Sequence, residues 1–297
     1  MTNSPIGFLG IGAMGKPMAI NLCKAQLPVL VADPNQSATA ILAQQGAEVA
    51  DSARALADRS PVVHACLPSV ATAEQVAAEV LNGTAIKYFV NHGTTGSTFS
   101  KEAAARLDDH GIGYLDAPIS GGVAGAEAGT LAIMCSGSQA AFDAAKPGLN
   151  AMSAQLTYLG DAPGTAQTMK LCNNMLFFCH FAATLESMTL GVKAGLDPEQ
   201  MLDIINNSTG RNFTSENIVG PHILSRNFDF GGANHIIEKD LELWRQEAEA
   251  YGVPAYVGTL VRTLYRQMVE QEGRDLDITR LVLTLEQMAG TEIPKTR

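Results

Sequence analysis

Lys170 and Asn174 stand four residues apart in KLCNN, inside a strongly apolar stretch. That spacing sets a basic side chain and an amide on one helix face, a turn apart. A lysine so placed can act as an acid/base near neutral pH if its pKa falls from about 10.4, and partial burial beside another cation brings this about. Lys239, in EKDL, is a candidate for that cation; Lys239-Asp240 also reads as an exposed pair of neighbouring charges. In DAPISGG, Ser120, Gly121 and Gly122 combine two successive freed amides with a hydroxyl, a small nest suited to a carboxylate. A plain glycine turn is the alternative, and the position after an apolar strand end favours the anion site.

A second constellation opens the chain. Gly10-Ile11-Gly12-Ala13-Met14-Gly15 is G-x-G-x-x-G between an apolar strand and a helical pattern. Gly10 permits the tight turn, Gly12 lets a pyrophosphate approach the backbone, and Gly15 lets the helix pack close. Ala13 and Met14 lie in that turn, ahead of the helical pattern Lys16–Ala25, whose N-terminal amides suit phosphate. Asp33 ends the next apolar run, where a carboxylate accepts both ribose hydroxyls of a dinucleotide and repels a 2′-phosphate. No arginine follows Asp33-Pro34-Asn35, so NAD is favoured over NADP; Asp-Pro-Asn is also an ordinary strand-end turn. Together these segments outline a site for hydride transfer to or from a small carboxylate-bearing molecule.

The elements that must carry these groups follow from hydrophobic periodicity. Strands are predicted at Ile6–Leu9, Val29–Ala32, Val62–Cys66, Ile86–Val90, Gly113–Asp116, Leu131–Cys135 and Leu156–Leu159. Helical patterns lie between several of them, which argues for a largely parallel sheet covered on both faces. From Thr165 to about Ala194 the chain reads as one helix of roughly 30 residues, apolar nearly all round. Asp197-Pro198-Glu199-Gln200 restarts a helix, with Asp197 as N-cap and Gln200 completing a capping box. Further helical patterns cover Asn234–Tyr251, Val257–Glu272 and Ile278–Met288. The fold class is therefore an α/β Rossmann-type domain over residues 1–163 and an all-helical domain over 164–297, joined by the long helix.

A length of 297 residues exceeds the usual single core, and 46% hydrophobic with 17% charged residues suits a folded soluble protein. The net charge of −10 speaks against nucleic acid and anionic membrane surfaces as partners, so an anionic ligand must be held by local donors. Cys23, Cys66, Cys135, Cys172 and Cys179 are odd in number and scattered, and the six histidines lack metal-ligand spacing; no metal site is expected. No signal peptide is evident, and the apolar run Leu171 to Leu185 is broken by Asn173, Asn174 and His180. A cytoplasmic enzyme fits these features.

GFLGIGAMGKPMAINL, DAPISGGVAGAEAGTLAIM, KLCNN and KDL, in this order, resemble the signature segments of the β-hydroxyacid dehydrogenases, the family of 3-hydroxyisobutyrate dehydrogenase, over nearly the whole chain. The resemblance implies NAD(P)-dependent interconversion of a 3-hydroxyacid and its aldehyde or ketone, in a homodimer or homotetramer. It implies Lys170 as acid/base, Asn174 as orienting group and Ser120–Gly122 as carboxylate site. Leu67-Pro68 and Thr94 match positions lining the cofactor, and Lys239 matches a lysine near nicotinamide and substrate. Two departures occur: many relatives read D-x-S-T-x-x-P where this chain has Asn91-His92-Gly93-Thr94-Thr95-Gly96-Ser97, and Ala166 replaces a common glycine. An imine reductase and a non-catalytic dinucleotide-fold protein are the rival readings; both are expected to lack Lys170. The substrate's identity is not legible.

Overall fold

The computed structural model describes residues 4–296. The chain forms two compact units, Met1–Lys170 and Leu171–Arg297.

The first unit is α/β. Its strands are β1 (Ile6–Leu9), β2 (Val29–Ala32), β3 (Glu48–Val49), β4 (Val62–Ala65), β5 (Tyr88–Asn91), β6 (Gly113–Asp116), β7 (Ile119–Ser120), β8 (Leu131–Gly137) and β9 (Ser153–Tyr158). Helices α1 (Gly15–Lys24), α2 (Gln36–Gln44), α3 (Ala53–Ala57), α4 (Val70–Val80), α5 (Ser97–Asp108), α6 (Gly122–Ala128) and α7 (Gln139–Met152) connect them. The strand order is β3-β2-β1-β4-β5-β6-β8-β7, with β9 beside β8. The first six strands are parallel, while β8 runs antiparallel to β6 and β7. The order reverses between β1 and β4, the switch point at which open α/β sheets bind ligands.

Strand alternation sorts the core into two layers. Phe8, Val31 and Leu115 point toward Met18, Leu22, Phe142 and Leu149 on one face. Their neighbours Leu9, Leu30 and Tyr114 point toward Leu56, Phe99 and Leu107 on the other. Burial on both faces is why the central strands read as continuous apolar runs.

The second unit is helical. Helix α8 (Thr165–Lys193) begins in the first unit and continues into the second; α9 (Pro198–Asn206), α10 (Asn234–Ala250), α11 (Tyr256–Glu272) and α12 (Leu281–Ala289) follow. Phe178, Phe181, Leu185 and Met188 of α8 form a core with Leu241, Tyr265 and Val282. Helix α8 has the length and hydropathy of a membrane span, yet these side chains pack into the protein. Asp197 caps α9 as expected, its Oδ1 accepting from the Gln200 amide at 2.9 Å.

Several elements differ from expectation. The two-residue β3, the five-residue α3 and the short α6 are too brief to show periodicity. β5 starts two residues later than predicted, at Tyr88, and β9 starts three earlier, at Ser153. The segment Ser215–Leu224 is a π-helix that the sequence does not announce, because Gly220-Pro221 within it reads as a breaker. The units part at Lys170/Leu171, seven residues beyond the expected boundary and inside a continuous helix.

Candidate active site

At the switch point the glycines are forced by contact. Gly10 has φ +79°, and a Cβ there would lie 2.3 Å from the Cys66 carbonyl oxygen. At Gly15 a Cβ would lie 1.9 Å from the Gly10 carbonyl, so α1 can start only this close to β1 with glycine. Gly12 is different: a Cβ would meet nothing within 4 Å. The turn is thus packed at both ends and open at its middle, as a backbone cradle for a phosphate group requires. The residues fit a dinucleotide.

Asp33 is held by two backbone amides. Its Oδ1 accepts from the Asn35 amide at 2.7 Å, forming the strand-end turn. Its Oδ2 accepts from the Ile11 amide at 2.8 Å, inside the glycine turn. The carboxylate is therefore fixed at the edge of the cradle. Leu67 follows β4 and lies against Gly10, while its carbonyl lies 3.5 Å from the Cβ position of Gly93, next to Thr94; Pro68 is exposed. Gly10, Asp33, Leu67 and the loop after β5 thus meet along one edge of the first unit.

Ser120 ends β7, and Gly121 and Gly122 follow with φ +128° and +62°. Both glycines are exposed, and a Cβ on Gly122 would meet nothing within 4 Å, whereas one on Gly121 would meet Leu131 at 3.3 Å.

Lys170, also in the first unit, is 8% exposed. The start of its helix is held by strand ends. Asp116, at the end of β6, accepts from the Gly164 amide at 2.7 Å, and Ser136 of β8 accepts from the Ala166 amide at 2.9 Å. Asp116 also accepts from Ser100 Oγ at 2.6 Å, Tyr114 OH at 2.8 Å and Gln167 Nε2 at 3.0 Å. Burial raises the Asp116 carboxyl above its ordinary pKa, and the four donors pull it back.

The unusual loop after β5 closes on the same network. Asn91 Oδ1 accepts from the Gly93 amide at 3.0 Å, and its Nδ2 donates to Thr95 Oγ1 at 3.0 Å and Tyr114 OH at 3.2 Å. An aspartate in this position would have no hydrogen to give Tyr114. With asparagine, the tyrosine accepts on one side and donates to Asp116 on the other.

Beside this loop lies a buried histidine pair. His92 Nδ1 donates to the Ala117 carbonyl and its Nε2 accepts from His64 Nδ1, each at 2.9 Å. The carbonyl fixes both tautomers, and the two rings stack with Phe8. His64 Nε2 is buried without a hydrogen-bond partner among the described residues. Burial pushes the His92 pKa down to about 4, against the pull of the Ala117 carbonyl. Burial, and then the neighbouring His92, pushes His64 well below the usual imidazole range.

In the helical unit, Asp240 is buried and bridges two expected site residues. Its Oδ2 accepts from Asn174 Nδ2 at 2.7 Å and its Oδ1 from Lys239 Nζ at 2.7 Å. Lys239 is therefore half of a partly buried ion pair rather than of an exposed one. Asp116, Gln167 and Asp240 were not singled out from the sequence; Asp116 and Asp240 lie inside quoted motifs, and that placement was the available signal.

Two family descriptions tile the chain. The NAD-binding domain of 6-phosphogluconate dehydrogenase matches residues 5–160, and the NAD-binding domain of NADP-dependent 3-hydroxyisobutyrate dehydrogenase matches residues 164–285. The chain is 34% identical to 2-(hydroxymethyl)glutarate dehydrogenase of Eubacterium barkeri, over 97% of each protein. The chain belongs to the β-hydroxyacid dehydrogenase family. This β-hydroxyacid dehydrogenase is also 34% identical to the mitochondrial 3-hydroxyisobutyrate dehydrogenase of Mus musculus, over 90% of this chain and 82% of that protein. It superposes on Mycobacterium tuberculosis 3-hydroxyisobutyrate dehydrogenase, solved with L-serine, with a TM-score of 0.86, at 32% identity over 95% of this chain and 99% of that one. Solved imine reductases share 18–22% identity at TM-scores of 0.61–0.66, a likeness of fold alone. The protein is an NAD(P)-dependent oxidoreductase of the hydroxyacid dehydrogenase type.

Proposed function

We propose that this dehydrogenase acts on 3-hydroxypropanoates of the form HOCH2–CH(R)–COO⁻, with NAD as the preferred cofactor and Lys170 as the proton-transferring group. The support for Lys170 is its burial: a lysine residue only 8% exposed, on a helix whose first turn is bonded to the strand ends of the dinucleotide unit. Gly10, Gly12, Ala13, Met14 and Gly15 hold the pyrophosphate, Asp33 the adenosine ribose, and Leu67, Pro68 and Thr94 line the rest. Bound there, the nicotinamide accepts hydride in oxidation and supplies it in reduction.

In the oxidation direction neutral Lys170 takes the proton of the substrate hydroxyl; in reduction the protonated lysine polarises the carbonyl and returns that proton. Ser120, Gly121 and Gly122 bind the carboxylate and so fix the distance from the acid group to carbon 3. Asn174, a turn beyond Lys170 on the same helix, orients the substrate hydroxyl or the amine, and Asp240 fixes the carboxamide. Lys239 serves substrate and cofactor as a second basic group.

The substrate class rests on a shared chemical unit. 3-Hydroxyisobutyrate, 2-(hydroxymethyl)glutarate and serine, in the names of the relatives, all carry a primary alcohol on carbon 3 and differ in the group on carbon 2. NAD is favoured because Asp33 is held facing the glycine turn by two backbone amides, and a 2′-phosphate beside it would be repelled. A homodimer or homotetramer is supported by Tyr256, Val257 and Leu260, exposed together on α11. The net charge of −10 and five free cysteines among the described residues accord with a cytoplasmic enzyme that binds neither nucleic acid nor membrane.

A spectrophotometric panel of 3-hydroxyacids against NAD and NADP tests the reading. Turnover of at least one 2-substituted 3-hydroxypropanoate is expected, with kcat/KM at least about tenfold higher for NAD than NADP, the modest end of discrimination by one repelled charge. Turnover of cyclic imines alone, or an NADP preference, would contradict it.

A further inference from the structure

Gln167 is 0% exposed, three residues before Lys170, and its carboxamide uses every hydrogen-bonding position it has. The Nε2 donates to the Gly93 carbonyl at 2.9 Å and to Asp116 Oδ1 at 3.0 Å. The Oε1 accepts from the Thr95 amide at 3.0 Å and from the Gly96 amide at 3.4 Å. Gly93 and Thr95 flank Thr94, so one side chain grips the backbone on both sides of the residue assigned to the cofactor. The same side chain stands on the helical turn that carries the lysine. Its bond to Asp116 adds a third anchor, since that carboxylate also holds the Gly164 amide at the helix start.

These contacts cost the protein the desolvation of a carboxamide and a carboxylate, which only complete pairing offsets. Apolar packing would hold helix and loop together at less risk, but without fixing their register. A carboxamide with two donors and two acceptors fixes it in both directions along the loop.

We propose that Gln167 is a positioning residue for hydride transfer: it locks the Lys170 turn and the Gly93–Gly96 loop into one rigid piece, setting the amine relative to the bound nicotinamide. The proposal rests on the acid/base reading of Lys170. Asp116 supports it from behind, with Ser100, Tyr114 and Gly164 as its remaining donors.

The test uses the full-length protein and two variants. Gln167→Met keeps the length of the side chain and removes both kinds of hydrogen bond. Without cofactor, amide exchange by mass spectrometry should accelerate together in peptides covering 93–96 and 164–170, with other first-unit peptides unchanged. With the best acid of the panel, kcat should fall roughly 30-fold while its KM changes less than about threefold, as expected when a reacting group is displaced by a fraction of an ångström. Exchange confined to one of the two segments, or kcat within twofold of wild type, overturns the proposal.

Gln167→Glu supplies a pH signature. Ionised, the glutamate sets a third acceptor against Asp116 and the Gly93 carbonyl; protonated, it regains one donor. In the reduction direction its rate relative to wild type should therefore rise at least about threefold between pH 8 and pH 6, because the neighbouring carboxylate raises its pKa. A flat ratio overturns the proposal even if Gln167→Met fails to fold. Failure of the underlying reading looks different: Lys170→Ala would then remain active, whereas an inactive Lys170→Ala beside a fully active Gln167→Met removes only the positioning role.

Discussion

In the dinucleotide unit the functional groups stand at strand ends, and the backbone does most of the holding. Asp33 is fixed by two amides, Asp116 by an amide and three side chains, and Gln167 by two amides, a carbonyl and the Asp116 carboxylate. In the helical unit the groups stand on helix faces and hold one another through their side chains, as Asn174, Asp240 and Lys239 do. The difference has an energetic meaning. A backbone contact survives most substitutions nearby, because the amide is always present. A side-chain pair is lost with either partner, and the survivor keeps its desolvation cost. The stability of the first unit should therefore be most sensitive at its close backbone contacts, and the second unit should respond to single truncations at its carboxylate bridge.

The sharpest break in the first unit is expected at Gly15. Gly15→Ala puts a methyl 1.9 Å from the Gly10 carbonyl, so α1 must shift and NADH affinity should drop at least about 100-fold with a lower Tm. Gly12→Ala is the contrast: with nothing within 4 Å, Tm should stay within about 2 °C of wild type while NADH affinity falls roughly tenfold, the methyl occupying the approach path alone. Fluorescence titration and thermal melts on the pair would refute this account of the turn if both variants lost stability equally.

The histidine pair sets a pH limit on the same unit. Both imidazoles are neutral and buried, so the unfolded chain binds more protons than the folded one below an ordinary imidazole pKa near 6.5. Stability is full above that pH and is lost as pH falls toward the folded value of about 4 for His92. Urea unfolding should show a loss on the order of 3 kcal/mol between pH 7 and pH 4 from His92 alone, at 1.36 kcal/mol per unit. In His92→Gln, which keeps a donor for the Ala117 carbonyl, that slope should shrink; an unchanged slope would show that the pair is not its source.

Much of this arrangement was legible in the sequence, and for identifiable reasons. The glycine turn, the Asp33 strand end, Thr165–Lys193 and the α9 cap are announced by short runs of consecutive residues. The helical unit was legible as helices but not as a site, because Asp240 bonds a residue 66 positions away. Gln167 was invisible for the same reason: its partners are 72 and 51 positions distant, at the ends of strands whose order no periodicity reveals. The contact between His64 and His92 depends on β4 and β5 being neighbours, which neither residue's own surroundings in the sequence reveal. The π-helix over Ser215–Leu224 was hidden by Gly220-Pro221 within it, which reads as a breaker.

The carboxylate bridge of the helical unit should give the smallest effect. Asp240→Asn leaves an oxygen for either Asn174 or Lys239 and removes the charge facing the amine. Tm should change little, since Lys239 can turn to water, while kcat/KM falls roughly tenfold through loss of a charged hydrogen bond worth about 1.5–3 kcal/mol. Asp240→Asn with wild-type kcat/KM would remove this bridge from the site and leave it a fold contact.

The central claim is that the Lys170 amine carries the proton in step with hydride transfer, and Lys170→Ala tests it most directly. Stopped-flow kinetics in both directions, with NADH titration on the same preparation, should give kcat lowered about 10³-fold and a dissociation constant for NADH within about threefold of wild type. More than a tenth of wild-type kcat in a variant that still binds NADH would contradict the account.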